Sequence, residues 1–169
     1  MSCIIPITSE NFSRYMDQML AIERASFPSP WSTQAFREEV SNGASRLWVL
    51  VQDGRLKGYV CFWIFAGEIH LMNIAVDPKE RGKGLGRKLM TGMINFGRSR
   101  GVTRVWLEVR TSNRTARRMY QKSGFRAVGR RPRYYRDTNE DAIVMSLSLA
   151  TPEGVDRKMR VETGLQHAL

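Results

Sequence analysis

Scarce residue types narrow the chain first. Two cysteines, Cys3 and Cys61, cannot build a disulfide framework and read as reduced thiols. Two histidines, His70 and His167, are scattered relative to them, so no metal-ligand spacing arises and no metal is expected. No apolar run reaches the roughly 20 residues that cross a bilayer. The start, MSCIIPITSE, lacks the basic opening and long apolar core of a signal peptide, so a cytoplasmic chain with no membrane role is expected. Acidic residues are the scarce charge: 16 Asp and Glu stand against 27 Lys and Arg, leaving +11. Such a balance suits a phosphorylated cofactor, nucleic acid or a ribonucleoprotein surface, or serves solubility alone.

A length of 169 residues is enough for one α/β domain with a sizeable core. Helical spacing of Phe12, Tyr15, Met16, Met19, Leu20 and Ile22 predicts a first helix, from Ser9 to about Phe27. The stretch Phe27-Pro28-Ser29-Pro30-Trp31 breaks it, and Ser32 can cap a second helix running to about Val40. Residues 46–52 and 55–65 read as strands joined by the hairpin turn Asp53-Gly54. Residues 68–76 follow as a strand in strict alternation, with Ile69, Leu71, Asn73 and Ala75 on one face and His70, Met72, Ile74 and Val76 on the other. A helix with Leu85, Leu89, Met93 and Phe96 inward leads to a strand at 103–110. Asn113 to Lys122 reads as a short helix stopped by Ser123-Gly124. Strands at about 125–131 and 141–149 end the pattern, with a loop rich in arginine and tyrosine between them. Parallel pairing across the helical crossover and antiparallel hairpins elsewhere predict a mixed sheet with helices on both faces. The expected layout is a single domain at 1–150. Residues 151–169, TPEGVDRKMRVETGLQHAL, carry as many acids as bases and are expected as a tail.

The centre of this pattern is Arg81-Gly82-Lys83-Gly84-Leu85-Gly86. Glycines allow close backbone approach, and the first turn of a helix presents amides without partners to an anion. Arg81, Lys83, Arg87 and Lys88 add positive charge. A P-loop needs Ser or Thr after its lysine, but Lys88 is followed by Leu89. A dinucleotide fingerprint needs a third glycine where Leu89 stands, with an acid further on for the ribose.

The turn resembles the signature of the GNAT acetyltransferases. So do Asn73-Ile74-Ala75-Val76-Asp77-Pro78 before it and the later Asn113, Ala116, Tyr120 and Gly124-Phe125. Trp106-Leu107-Glu108-Val109-Arg110 and Glu140-Asp141-Ala142-Ile143-Val144-Met145 resemble, within that family, the ribosomal-protein alanine N-acetyltransferases (RimI type). The likeness covers about residues 3 to 149. It implies the GNAT fold, a mostly antiparallel seven-stranded sheet with a splayed central strand pair, and acetyl-CoA as donor. It implies that backbone groups of Ile74, Ala75 and Val76 meet the pantetheine arm. Arg81, Gly82, Lys83, Gly84, Leu85, Gly86 and Arg87 would hold the pyrophosphate.

Acetyl transfer to an amine needs a neutral amine and a protonated leaving thiol. An α-amine, of pKa about 7.7–8.0, needs little help from a base. Glu108, a lone acid within a strand-like run, reads either as that base or as a carboxylate paired with an arginine. Tyr120 reads either as a proton donor or as a core tyrosine. The resemblance assigns the base and the donor to these two positions, and puts Asn113 on the pantetheine. His70 has no evident partner and reads as structural or substrate-lining. Cys61, among aromatics, reads as buried. Phe27 and Trp31 in one loop, and Tyr134 and Tyr135 in another, resemble the loops that frame the acceptor in N-terminal acetyltransferases. Arg136 stands where many members carry proline. The implied reaction is acetylation of the N-terminal α-amine of a ribosomal protein, alanine first, by direct attack in a ternary complex. Broader N-terminal or lysine acetylation is the alternative, and a non-catalytic acetyl-CoA or RNA-binding module the third. Direct nucleic-acid binding is not expected. The expected state is a monomer or weak dimer.

Overall fold

The computed structural model describes residues 1–149; the expected tail at 151–169 lies outside them. Seven strands form one sheet: β1 (Ser2–Pro6), β2 (Ser45–Gln52), β3 (Arg55–Phe65), β4 (Glu68–Val76), β5 (Arg104–Arg110), β6 (Arg126–Tyr135) and β7 (Glu140–Ser148). Their order across it is β1-β2-β3-β4-β5-β7-β6. The helices are α1 (Phe12–Ser26), α2 (Thr33–Ser41), α3 (Leu85–Ser99) and α4 (Arg114–Lys122). β4 and β5 run parallel, joined by the α3 crossover, and the other neighbours are antiparallel. The mixed, mostly antiparallel sheet expected from the sequence is the one found. Among the described residues no helix is long and apolar enough to cross a membrane.

Local chemistry explains the element ends. Gln52 faces Arg55 across Asp53 and Gly54, at φ 53° and 72°, a two-residue turn whose twist matches the strands it joins. Ala66 and Gly67 repeat the device between Phe65 and Glu68. Ser32 caps α2 as expected, its Oγ accepting from the Ala35 N–H at 3.1 Å.

Two cores flank the sheet. α3 and α4 cover Val60, Phe62, Ile69, Leu71, Leu107 and Met145 on one face. α1 and α2 cover Val49, Tyr59, Cys61 and Ala75 on the other, with Met19, Leu20 and Phe36 as the helix contribution. Burial of each such side chain contributes roughly 1.5–3 kcal/mol.

Two expectations are corrected. Strict alternation along β4 fails, because Cys61 faces Asn73 while Phe62 faces Leu71, leaving Met72 as an extra residue. This bulge exchanges the faces. Ile69, Leu71 and then Ile74 pack on the α3 side, whereas Met72, Ala75 and the Asn73 side chain turn toward α1. The loop expected between the last two strands is mostly strand: β6 continues to Tyr135, which pairs with Glu140. Arg133, at φ 51°, absorbs the register shift between Arg131 and Tyr135. β7 extends far enough to pair Tyr135, and tyrosine suits that setting.

The sheet is not closed at its centre. β4 and β5 pair through Glu68–Arg104, Ile69–Val105 and His70–Trp106, and then part. β4 stays on β3 as far as Val76, opposite Gly58, and β5 stays on β7 as far as Arg110, opposite Ala142. A wedge therefore opens between them, as the splayed pair requires.

Gly58 sits where β3 passes the wedge strand. A Cβ there would lie 2.8 Å from the Ala75 carbonyl oxygen and 3.3 Å from Leu89 Cδ1. Gly58→Ala is expected to destabilise by about 1–3 kcal/mol, seen as a lower urea midpoint at unchanged slope. Gly43, with nothing within 4 Å of its would-be Cβ, is the control, and Gly43→Ala should stay within about 0.5 kcal/mol.

Candidate active site

The glycine turn stands at the end of β4. Asp77 caps a short 3-10 turn, Pro78–Glu80, its Oδ1 accepting from the Lys79 N–H at 3.0 Å. Gly82 and Gly84 then adopt φ of 78° and 79°. Space is open around both, so left-handed backbone rather than crowding calls for glycine. Gly86 differs: a Cβ would approach Met119 Sδ to 3.1 Å, so the first turn of α3 rests on α4. Gly84 is the N-cap of α3 and brings no side chain to its first amides, which suits an anion.

The cations divide. Arg81 donates to the Val76 carbonyl at 3.2 Å and to Ser26 Oγ at 2.9 Å, tying the turn to α1. Lys83 and Lys57 both reach Glu80 at 2.7 Å, and their hydrogen bonds hold its carboxyl down at about 2. Arg87 lines a groove with Arg98 and Lys122 between α3 and the end of α4. Lys88 departs from the expected ring of charge: it turns to β1 and donates to the Ser2 carbonyl and hydroxyl.

Glu108 lies on β5, on the face away from Leu107 and Val109, beyond the point where β4 and β5 part. Its Oε2 is 2.7 Å from His70 Nε2 and its Oε1 3.4 Å from Arg131 Nη2. The Glu108 side chain is 10% exposed and that of His70 41%. His70 therefore has a partner, against the sequence expectation. β4 and β5 still pair at His70–Trp106, and that places the imidazole beside the carboxylate two residues along β5, on the same face. The arginine considered in the sequence reading is present too, so Glu108 has both neighbours.

Tyr120 sits on α4, 5% exposed, with its ring 5.8 Å from that of Phe125. Burial, then the nearby Tyr135, push its phenol well above the usual range, so the hydroxyl keeps its proton. Asn113 is the N-cap rather than part of the helical face, its Oδ1 accepting from the Ala116 N–H at 3.2 Å. Its amide nitrogen remains as a donor.

Both aromatic segments approach this region. Tyr134 and Tyr135 meet edge to face at 5.1 Å, with Arg131 over the first ring at 5.6 Å and Arg110 over the second at 4.0 Å. Burial raises both phenols, Tyr135 to about 12, and Glu108 acts in the same direction on each. Tyr135 thus feels Glu108 and itself acts on Tyr120. Arg110 grips Asp137 at 2.8 and 3.0 Å in the turn after β6. Ser29 lies close enough to Asp137 to help lower its carboxyl, so the α1–α2 loop holding Phe27 and Trp31 meets the β6–β7 turn. Trp31 packs edge to face on Phe36 at 5.3 Å, and Phe27 packs on the α1–α2 core.

Glu23, in α1, was missed by sequence reasoning. It is 1% exposed and joins α1 to β3, β4 and the α1–α2 loop. A signal existed: Phe12, Met16, Met19 and Glu23 recur at i, i+4, i+7 and i+11, which sets a carboxylate in the buried stripe. Asp137 had no such signal, since turn acids are common.

A wedge between two parallel strands, with a glycine-headed helix at its end, defines an acetyltransferase fold. Residues 16–125 match the Acetyltransferase (GNAT) family. The chain is 38% identical over 133 residues to the ribosomal protein bS18-alanine N-acetyltransferase of Escherichia coli strain K12, covering 76% of this chain and 88% of that protein. The crystal structure of the ribosomal-protein alanine N-acetyltransferase from Escherichia coli superposes with a TM-score of 0.79 at 32% identity, covering 89% of this chain and 96% of that one. Arabidopsis thaliana NAA60 in complex with acetyl-CoA shares the fold, with a TM-score of 0.76 at 21% identity over 88% of this chain and 99% of that one. The chain belongs to the GNAT acetyltransferase family and is an N-acetyltransferase.

The Arg110–Asp137 clamp has a pH signature. Hydrogen bonding to Arg110 lowers the Asp137 carboxyl to about 2 in the folded chain, against about 3.9 when unfolded. Its contribution is complete above about pH 4 and is lost as pH falls through about 2. Asp137→Asn should flatten the stability loss across that window, read as urea midpoints at each pH. Identical acid limbs in parent and variant would refute the clamp.

Proposed function

We propose that this N-acetyltransferase moves an acetyl group from acetyl-CoA to the N-terminal α-amine of a protein. Alanine at the start of a ribosomal protein is the first acceptor, and attack is direct, in a ternary complex. One observation carries the reading: Glu108, Tyr120 and both aromatic segments gather around the wedge whose far end is the glycine turn. The relatives with this acceptor are similar over most of the chain, which supports the choice.

The residues present fit acetyl-CoA. The β5-facing edge of β4 at Ile74, Ala75 and Val76 is not used by β5, and backbone polar groups there suit an amide-bearing arm. The amides from Gly82 to Arg87 suit its phosphates, with Arg81, Lys83 and Arg87 beside them and Leu85 and Gly86 opening the helix. Asn113 offers its free amide to the arm. Bound there, acetyl-CoA supplies the acetyl thioester.

The chain's own groups then handle protons and position. The α-amine titrates at about 7.7–8.0, so a carboxylate is a sufficient base. Glu108 takes its proton through a water, with His70 and Arg131 holding the two carboxylate oxygens. Tyr120, kept protonated by burial, donates to the departing sulfur. Phe27, Trp31, Tyr134 and Tyr135 frame the acceptor's first residues. Cys61 takes no part: burial raises its thiol to about 12, which removes the thiolate that nucleophilic catalysis needs.

Turnover of acetyl-CoA over peptides starting with different residues, beside a lysine peptide with a blocked N-terminus, tests the acceptor. The alanine-initial ribosomal peptide should lead; acetylation of lysine but not of the α-amine would sink the reading. Glu108→Gln should lower kcat/KM by about 100-fold or more. Tyr120→Phe should lower kcat by at least about tenfold while acetyl-CoA affinity stays within about twofold. Unchanged kcat would remove Tyr120 as the acid.

A further inference from the structure

Glu23 carries a charge-bearing group to a depth where such groups are costly, yet none of its hydrogen-bond partners is a cation. Its partners come from three elements. Oε1 accepts from the Trp31 backbone N–H at 2.8 Å. Oε2 accepts from the Tyr59 hydroxyl on β3 and from Asn73 Nδ2 at 3.0 Å on β4. Trp31 is the last residue of the break between α1 and α2, next to the Ser32 cap. Asn73 is the first residue beyond the β4 bulge, immediately before Ile74 on the wedge edge.

These three attachments are unlike a packing contact. An apolar side chain of equal volume would fill the space at less cost. A carboxylate adds four lone-pair directions on two fixed oxygens, so it can hold three donors in one geometry. Two of them, Tyr59 and Asn73, belong to neighbouring strands of the sheet. The third is the backbone of a loop whose neighbours Pro28 and Pro30 offer no N–H of their own. At its middle the loop comes up to Asp137 through Ser29.

We propose that Glu23 is a positioning residue that registers the acceptor loop, 27–31, on the acyl end of β4. It rests on the reading of that loop as acceptor-facing. Glu23 fixes the height of Trp31 relative to Ile74, and so the place of the incoming amine relative to the acyl group. It touches neither substrate.

Glu23→Gln is the closest isostere. Its amide has one acceptor oxygen and one NH2, so at least one of the three donors is left facing another donor. The expected result is a rise of about tenfold in KM for an alanine-initial peptide, the size of one lost hydrogen bond to a charged group. The Kd for acetyl-CoA should stay within about twofold, because the glycine turn is held separately by Arg81 and Asp77. A merely structural role predicts a lower melting temperature with an unchanged acceptor KM, and that outcome overturns the proposal. Glu23→Asp keeps the charge but shortens the reach, and should resemble Glu23→Gln in KM.

Two readouts guard the result. Tyr59→Phe removes one donor and leaves the Trp31 contact, so it should cost stability without shifting acceptor KM; a KM as high as in Glu23→Gln would overturn the loop as the point of action. Amide hydrogen exchange in 27–32 should quicken in Glu23→Gln relative to the parent, and exchange equal to the parent's would overturn the tether. Exchange needs no substrate. A parent enzyme that ignores α-amines would therefore refute the acceptor reading while the tether is judged on exchange. If Glu23→Gln does not fold, Glu23→Asp carries the same KM and exchange comparison.

Discussion

The divergence of β4 from β5 is the constraint on which the rest depends. A parallel pair that parted without purpose would leave a row of backbone donors and acceptors to water. Here the pairing covers Glu68 to His70 and no more, while each strand keeps its other neighbour to the end. The sheet can split because both halves are separately secured: β4 is backed by β1 to β3, and β5 by β7 and β6. α3 spans the split from one side and α1 with α2 covers the β2–β4 half from the other. Everything assigned a role lies around that opening, the glycine turn at one end and the carboxylate with its tyrosines toward the other.

Much of this was legible in the sequence because it is local. Asp53-Gly54, the Ser32 cap and the glycines at the head of α3 each act within a few residues, and each forms as the residue types require. The family likeness supplied the split sheet, which no periodicity encodes. What escaped was set by pairs distant in the chain. The β4 bulge exists only against β3, so alternation along β4 alone assigned faces wrongly from Asn73 onward. The length of β6 depends on how far β7 reaches to meet it. His70 and Glu108 become neighbours only through strand register, and Glu23 finds Tyr59 and Asn73 only in the fold. For the candidate site, the residue types were in view in the sequence, but the pairs that the fold brings together, such as His70 with Glu108, were not.

Charge is arranged against the chain's overall sign. Arginines crowd the exposed strand β6, and cations flank the glycine turn, yet the side chains turned inward near the wedge are carboxylates. Glu80 shows how this is kept orderly: Lys57 and Lys83 meet one carboxyl beside the glycine turn, so part of the positive charge there is paired. Glu39 repeats the inward pattern on α2, accepting from the Trp63 indole at 2.7 Å.

Glu108 and Glu23 answer the same problem differently, and the difference separates their proposed tasks. Glu108 keeps a titratable neighbour and a cation, and its imidazole partner opens to solvent, so protons have a way in and out. Glu23 is closed off and held by donors that do not exchange charge with it, a phenol, an amide and a backbone N–H. Burial raises the Tyr59 phenol far above its ordinary range, so that donor keeps its proton. A carboxylate meant to move protons cannot be sealed, and one meant to fix geometry gains from being so. On the proposed assignments, one fold uses a single side-chain type as proton relay at the wedge and as fixed tether behind it, by varying only access to water.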